Sequence, residues 1–204
     1  APFRRLDAMR VRNAIVNAAN AGVVVIVSAG NDGDSTEPGV DPNNPDLFAA
    51  GLRAAGNGNV IIAGSVGSTN LFSAFSNRAG SEATWFLSAR GERVCCVYEN
   101  GVLKIETQPD GTRVQYLVSG TSFAAPQIAG AAALLRQAFP NLTATQVVDL
   151  LLRTAMDAGD PGTDTTYGRG IMDIAKAFAP QGTTTLAGSK VAMPLGDSTG
   201  VTSA

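Results

Sequence analysis

The chain has 204 residues, enough for one domain with a sizeable core. Hydrophobic residues make up 45% and charged residues 16%, the balance of a folded chain and not of a disordered one. The net charge of −2 offers no electrostatic case for nucleic acid or an anionic membrane surface, and the longest apolar stretches, Ala21–Ala29 and Ile128–Leu135, are too short to span a bilayer.

The opening APFRRLDAMR carries no signal peptide and already reads as helix, so the start is expected to be a cut within a longer chain. Arg4–Ala21 places Leu6, Met9, Ile15, Val16 and Ala19 in an imperfect helical stripe that Gly22 ends. The β-branched run Val23–Val27 follows, apolar on both faces as a buried parallel strand is. Helix followed by buried strand predicts an α/β layout. Gly30, Asn31, Asp32 and Gly33 then form a loop at the strand end where open α/β sheets place their ligands.

Asp34–Asn57 is rich in Gly, Pro, Asn and Asp and is expected to be mostly loop. Val60–Ser65 is a second short buried strand, and Glu82–Arg90 is predicted as another. Cys95 and Cys96 are adjacent, without CxxC spacing or histidine, so a zinc site is not expected. A bond between strand neighbours would distort the backbone; one buried thiol and one on the opposite face are expected instead, with a bridge to a segment outside this chain as the alternative. The runs Arg93–Tyr98, Val102–Thr107 and Thr112–Val118 are separated by Asn100-Gly101 and Asp110-Gly111, pairs that tolerate positive φ in tight turns. They predict an antiparallel meander that delivers the chain to SGTSFAAP.

Ser122–Phe139 is predicted as a helix, apolar or small on all sides and therefore buried, with Pro126 in its first turn and Pro140 as its stop. Thr143 and Gln146 form a capping-box pattern before a helix over Ala144–Ala155, and Asp173 is the candidate N-cap of a short helix ending at Ala179. From Pro180 onward the chain has no periodicity and reads as linker or tail.

Two positions combine into chemistry. A serine at a helix start is ordinarily a cap. Ser122 differs because Gly120 allows close backbone approach, Ala124 and Ala125 keep its surroundings small, and the unpaired N–H groups of the helix start face any negative charge that forms beside it. Those features suit an acyl-transfer nucleophile. Asn31 is ordinarily a turn former, but its amide can also donate to an oxyanion. Asp32 and Asp34 are read as turn residues; an oxygen-rich loop can assist calcium binding, though no EF-hand spacing supports it. Asp157, Asp160 and Asp164 are read as a polar loop.

GVVVIVSAGNDG together with SGTSFAAPQIAGAAALL resembles the second half of a subtilisin-like serine protease, a subtilase. YGRGIMD is similar to the family's glycine-rich closing segment, and FSNRAGSEATWFLSARG is similar to the segment found in the bacterial autotransporter branch, whose passenger is secreted through an outer-membrane barrel. Cysteines often flank that segment in the branch; Ala79 and Phe86 stand there in this chain. The resemblance covers about residues 14–179. It implies a mainly parallel central sheet, a buried helix after the nucleophile and an antiparallel meander. Residues 1–179 would be the C-terminal part of a catalytic domain and 180–204 a tail. It further implies Ser122 as nucleophile and Asn31 as oxyanion donor, with the Ser122 N–H. Ser28, Ala29 and Gly30 would form one wall of the pocket for the side chain before the scissile bond. No cofactor or metal is implied, and the location is secreted or cell envelope.

The chain contains no histidine. A serine triad depends on a histidine to take the hydroxyl proton and return it to the leaving amine, and in subtilisin itself its removal lowers kcat by about 10⁶. In the family the aspartate and histidine precede the region that this chain matches. The expectation is therefore a protease fragment, inert alone, whose aspartate and histidine come from an upstream segment or companion chain. Gln127, where the family often has a second histidine, does not bear on this. The alternatives are a non-catalytic subtilase-like binding or scaffold module, and a hydrolase with a lysine base drawn from Lys104, Lys176 or Lys190.

Overall fold

The structure, a computed structural model, describes residues 2–95 and 97–179, together with the two short segments 183–185 and 192–194. Its centre is a parallel sheet of three strands in the order β1 (Val25–Ser28), β2 (Val60–Val66), β3 (Phe86–Arg90). The register runs Val25 to Val60 and Ile62 to Phe86. Every residue of β2 is buried, as the uninterrupted apolar run predicts for a central parallel strand.

Alternation along β2 divides the core in two. Ile61 and Ala63, with Leu87 and Ala89 of β3, meet α3 (Thr121–Ala138) and α4 (Ala144–Arg153) on one face. Val60 and Ile62, with Val27 and Phe86, meet α2 (Leu47–Ala55) and Ile15 of α1 (Pro2–Asn20) on the other. The outer edge of β3 is covered by residues 169–172, where Arg169 N–H donates to Phe86 O and Met172 N–H to Ser88 O. β1 is the opposite edge strand, and no described strand pairs with its outer side.

The meander forms as predicted, as short antiparallel ribbons. β4 (Val94–Cys95) pairs with β9 (Leu117–Val118), β5 (Tyr98–Glu99) with β6 (Val102–Leu103), and β7 (Ile105–Thr107) with β8 (Arg113–Gln115). Asn100 at φ 52° and Gly101 at φ 79° make the tight turn that the Asn-Gly pair predicts. The capping box of α4 has both of its bonds, Gln146 N–H to Thr143 Oγ1 and Thr143 N–H to Gln146 Oε1. Asp173 caps α5 (Ile174–Phe178) through Lys176 N–H.

Four expectations are corrected. Residues 80–85 form a 3-10 helix, not the start of a strand. Ala79 and Gly80 donate to Thr166 O and Thr165 O, and Glu82 pairs with Arg53; these contacts hold the segment against a neighbouring loop and bring the chain into the sheet only at Phe86. The stretch expected as loop contains α2, capped by Asp46 Oδ1 accepting from Ala49 N–H at 2.7 Å. Gly, Pro and Asn crowd its approach and hide a nine-residue amphipathic helix. α3 is not buried all round: Ala124, Ile128, Ala131 and Leu135 face the core, while Ala129, Gly130, Ala133 and Leu134 are exposed. Cys95 is disulfide-bonded and is not a free thiol; Cys96 lies outside the described residues. The predicted tail from Pro180 lies outside them too, apart from Thr183–Thr185 and Ala192–Pro194, which pair antiparallel as β10 and β11.

Candidate active site

The end of β1 is set by backbone hydrogen bonds. Ala29 N–H donates to Ala63 O at 3.0 Å, and Asp46 N–H donates to Ala29 O at 2.8 Å. The chain then turns at Gly30, whose φ of 111° disfavours any side chain, and where a Cβ would stand 2.9 Å from Asn77 Cγ. Asn31 follows, exposed at the mouth of the sheet.

The serine turn closes on the sheet from above. Gly120 N–H donates to Gly91 O at 2.8 Å, and Arg93 N–H donates to Ser119 Oγ at 2.9 Å, which ties the turn to the end of β3. Gln127 Nε2 donates to Arg90 O and Phe123 O. The residue before α3 is Gly120, so the helix has no side-chain cap of its own. Asn31 supplies one from 90 residues upstream: Thr121 N–H donates to Asn31 Oδ1 at 2.8 Å, and Thr121 Oγ1 donates to the same oxygen at 2.9 Å. The serine turn thus reaches from the end of β1 to the end of β3.

This arrangement decides which way the Asn31 amide points. Its oxygen must face Thr121 N–H, because a flipped amide would set donor against donor. Asn31 Nδ2 is therefore turned away from Thr121 N–H, and it donates to no acceptor among the described residues. Ser122, the next residue along, is exposed. Neither its hydroxyl nor its N–H has a partner among the described residues, and the N–H lies in the first turn of an 18-residue helix, where partial positive charge accumulates. One orphan backbone donor, one committed amide donor and one free hydroxyl lie together. That set can hold an oxyanion that forms beside Ser122.

The other predicted residues sit as follows. Ser28 pairs with Ala63, and it and Gly30 are half-buried. Ala29 is fully buried, with its methyl in the second core, so it offers backbone and not side chain to the mouth of the sheet. Asp32 and Asp34 are exposed turn residues. Among the described residues no three His, Cys, Asp or Glu side chains come together to hold a metal ion. Lys104 lies in the meander and pairs with Glu99 at 3.6 Å. Lys176 is on α5, away from the serine turn, and Lys190 lies outside the described residues.

Asn77 was not singled out from the sequence. It is 2% exposed and brackets Asn31 on both sides. Its Oδ1 accepts from Asp32 N–H at 2.7 Å, its N–H donates to Gly30 O at 3.2 Å, and its Nδ2 donates to Asn44 O at 3.0 Å. Thr121 was missed likewise; it is fully buried and its hydroxyl also reaches Gly30 O at 3.3 Å. An asparagine in a polar, turn-prone stretch carries no local mark of such a role. The partners are 45 residues away, beyond any local pattern.

The family model of the subtilase family matches residues 5–170. Serotype-specific antigen 1 of Mannheimia haemolytica is 34% identical over 167 residues, which is 80% of this chain and 16% of the relative. The Neisserial autotransporter lipoprotein NalP of Neisseria meningitidis serogroup B is 32% identical over 172 residues, 78% of this chain and 14% of the relative. Among solved structures, a lanthipeptide protease superposes with a TM-score of 0.59 at 28% identity, covering 87% of this chain and 56% of that one. The chain spans less than two thirds of each. The family model's match over most of the chain, with the identity to these relatives and the shared fold, leads to one conclusion: the chain belongs to the subtilase family.

Proposed function

We propose that Ser122 is the nucleophile of a serine endopeptidase. Its Oγ attacks the scissile carbonyl, and the hydroxyl proton passes to a base and then to the leaving amine. Water hydrolyses the resulting acyl-enzyme. Asn31 Nδ2 and the Ser122 N–H stabilise the oxyanion, and Ser28–Gly30 form a wall of the pocket for the side chain before the scissile bond. The observation that carries this reading is the Asn31 amide: its oxygen is committed to Thr121, the residue next to an unpartnered serine, and its Nδ2 is left without an acceptor among the described residues.

The base is a histidine, oriented by an aspartate, from a segment outside these 204 residues. Residues 1–179 are then the C-terminal portion of the catalytic domain, with 180–204 as its tail. No described strand pairs with the outer edge of β1, which supports this partnership, because an unpaired strand edge is a template for further strands. That edge adjoins a cleft lined by Gly22, Val23, Ala129 and Ala133, on the bare face of α3. A scaffold role would not need a committed amide donor beside a free serine. The autotransporter and the antigen among the relatives support a secreted or cell-envelope location. In the test, a fluorophosphonate probe is applied to the protease assembled with its upstream segment, and the adduct is mapped. Labelling of Ser122, lost in Ser122→Ala, is expected; labelling elsewhere, or none, refutes the reading.

A further inference from the structure

A cleft of about 430 Å³ opens on the β3 side of the serine turn, lined by Gly67, Leu71, Phe72, Arg90, Glu92 and Arg93 among others. Its charged rim is tied directly to that turn. Two of the hydrogen bonds that fix the turn use rim residues, Arg93 N–H to Ser119 Oγ and Gln127 Nε2 to Arg90 O, and between them Gly120 N–H donates to Gly91 O. Neither guanidinium forms an ion pair or hydrogen bond among the described residues, and both arginines are exposed. Glu92 is the one carboxylate in the lining, and it lies over Gly67, where a Cβ would stand 3.2 Å from its Oε2. Two positive charges against one negative leave the cleft with an excess of one positive charge.

Position gives this cleft a task. The serine turn is anchored at one end to Asn31, beyond β1, and at the other to Gly91 and Arg93, beyond β3. A peptide whose scissile carbonyl lies at Ser122 has its two halves on opposite flanks of the turn. With Ser28–Gly30 as the wall for the side chain before the scissile bond, as proposed above, the β1 flank takes the half that becomes the acyl group. The β3 flank takes the half that leaves as the amine. We propose that the Arg90–Arg93 cleft selects an acidic side chain, Asp or Glu, within the first three residues after the scissile bond. The proposal rests on Ser122 being the nucleophile. The apolar side chains of Leu71 and Phe72 in the lining receive the methylene stem, and the free guanidiniums meet the carboxylate as charge-assisted donors.

The test uses the assembled protease and matched peptides that carry Glu, Ala or Lys at each of these three positions. The kcat/KM ratio of Glu to Ala at the best position is expected to be roughly three- to ten-fold, and to shrink with added salt, as for solvent-accessible charge pairs. Arg90→Gln and Arg93→Gln each lower the ratio, and Arg90→Glu turns the preference towards Lys. The ratio is taken within one preparation, so a misfolded fraction cancels. Cleavage of the Ala peptides that depends on Ser122 but shows no acidic preference overturns the cleft assignment and leaves the nucleophile standing. A preference that persists in both Gln variants also overturns it. Cleavage that survives Ser122→Ala, or no cleavage of any peptide, removes the nucleophile reading and the cleft proposal with it.

Discussion

Removal of the Asn77 side chain tests whether Asn31 is held in place from behind. Asn77→Ala strips Asp32 N–H of its acceptor at 2.7 Å and Asn44 O of its donor at 3.0 Å. Both partners sit partly towards solvent, so each lost bond costs about 1 kcal/mol, near the lower end for an orphaned group. The sum, about 2 kcal/mol, lowers Tm by roughly 4–8 °C for a chain of this size. Catalysis responds separately. The backbone N–H of residue 77 still holds Gly30 O, but with Asp32 released on the other side Asn31 Nδ2 is no longer firmly aimed, and a displacement of about 1 Å costs on the order of 10²-fold in kcat. The loss cannot exceed that of Asn31→Ala, for which subtilisin, a member of the same family, supplies the figure of about 10²–10³. The assay is kcat for the wild type, the two single variants and the double variant, each normalised by active-site titration. If Asn77 acts through Asn31, Asn77→Ala lowers kcat in the wild type but changes it less than about two-fold when Asn31 is already alanine. Losses that multiply in the double variant would refute the argument, and so would a Tm shift with kcat unchanged.

Asn31→Ala in the assembled protease should lower kcat far more than it changes KM, because the donor acts on charge present only in the transition state; equal loss of binding at constant kcat would contradict this. The 204-residue chain on its own should turn over no peptide, and addition of the upstream segment should restore turnover, read as fluorogenic peptide cleavage. Gly33→Ala would place a Cβ 2.2 Å from Ser76 O and 2.5 Å from Ala74 O. Backbone cannot retreat as a side chain does, so urea unfolding should show a loss of about 3 kcal/mol. Thr143→Ala removes the cap of α4 and should cost about 1 kcal/mol in the same assay, with Thr143→Ser close to wild type.

In the mechanism proposed above, Asn31 serves two ends with one amide. The glycine before Thr121 leaves α3 without a cap, and the oxygen of Asn31 fills that need. Capping therefore aims the nitrogen. The helix start and the amide donor are one device, and a change that damages the cap also misdirects the donor.

Local chemistry made much of this protein legible in the sequence. The β-branched runs at residues 23–27 and 60–65 announce buried parallel strands. Asn100-Gly101 marks its turn, Thr143 and Gln146 mark a helix start, and GTSFAAP marks the serine at the head of a helix. Each of these signals lies within a few residues, where steric preference and hydrogen-bond reach operate without the rest of the fold. Tertiary structure alone decided the remainder. The face that α3 leaves bare depends on which elements pack against it, because its sequence is apolar all round. Asn31 caps a helix 90 residues away, Asn77 holds Asp32, the neighbour of Asn31, from 45 residues away, and Arg90 and Arg93 become a cleft only where β3 ends beside the serine turn. Those contacts join residues distant along the chain, and their partners are chosen by the way the sheet stacks, which no local pattern encodes.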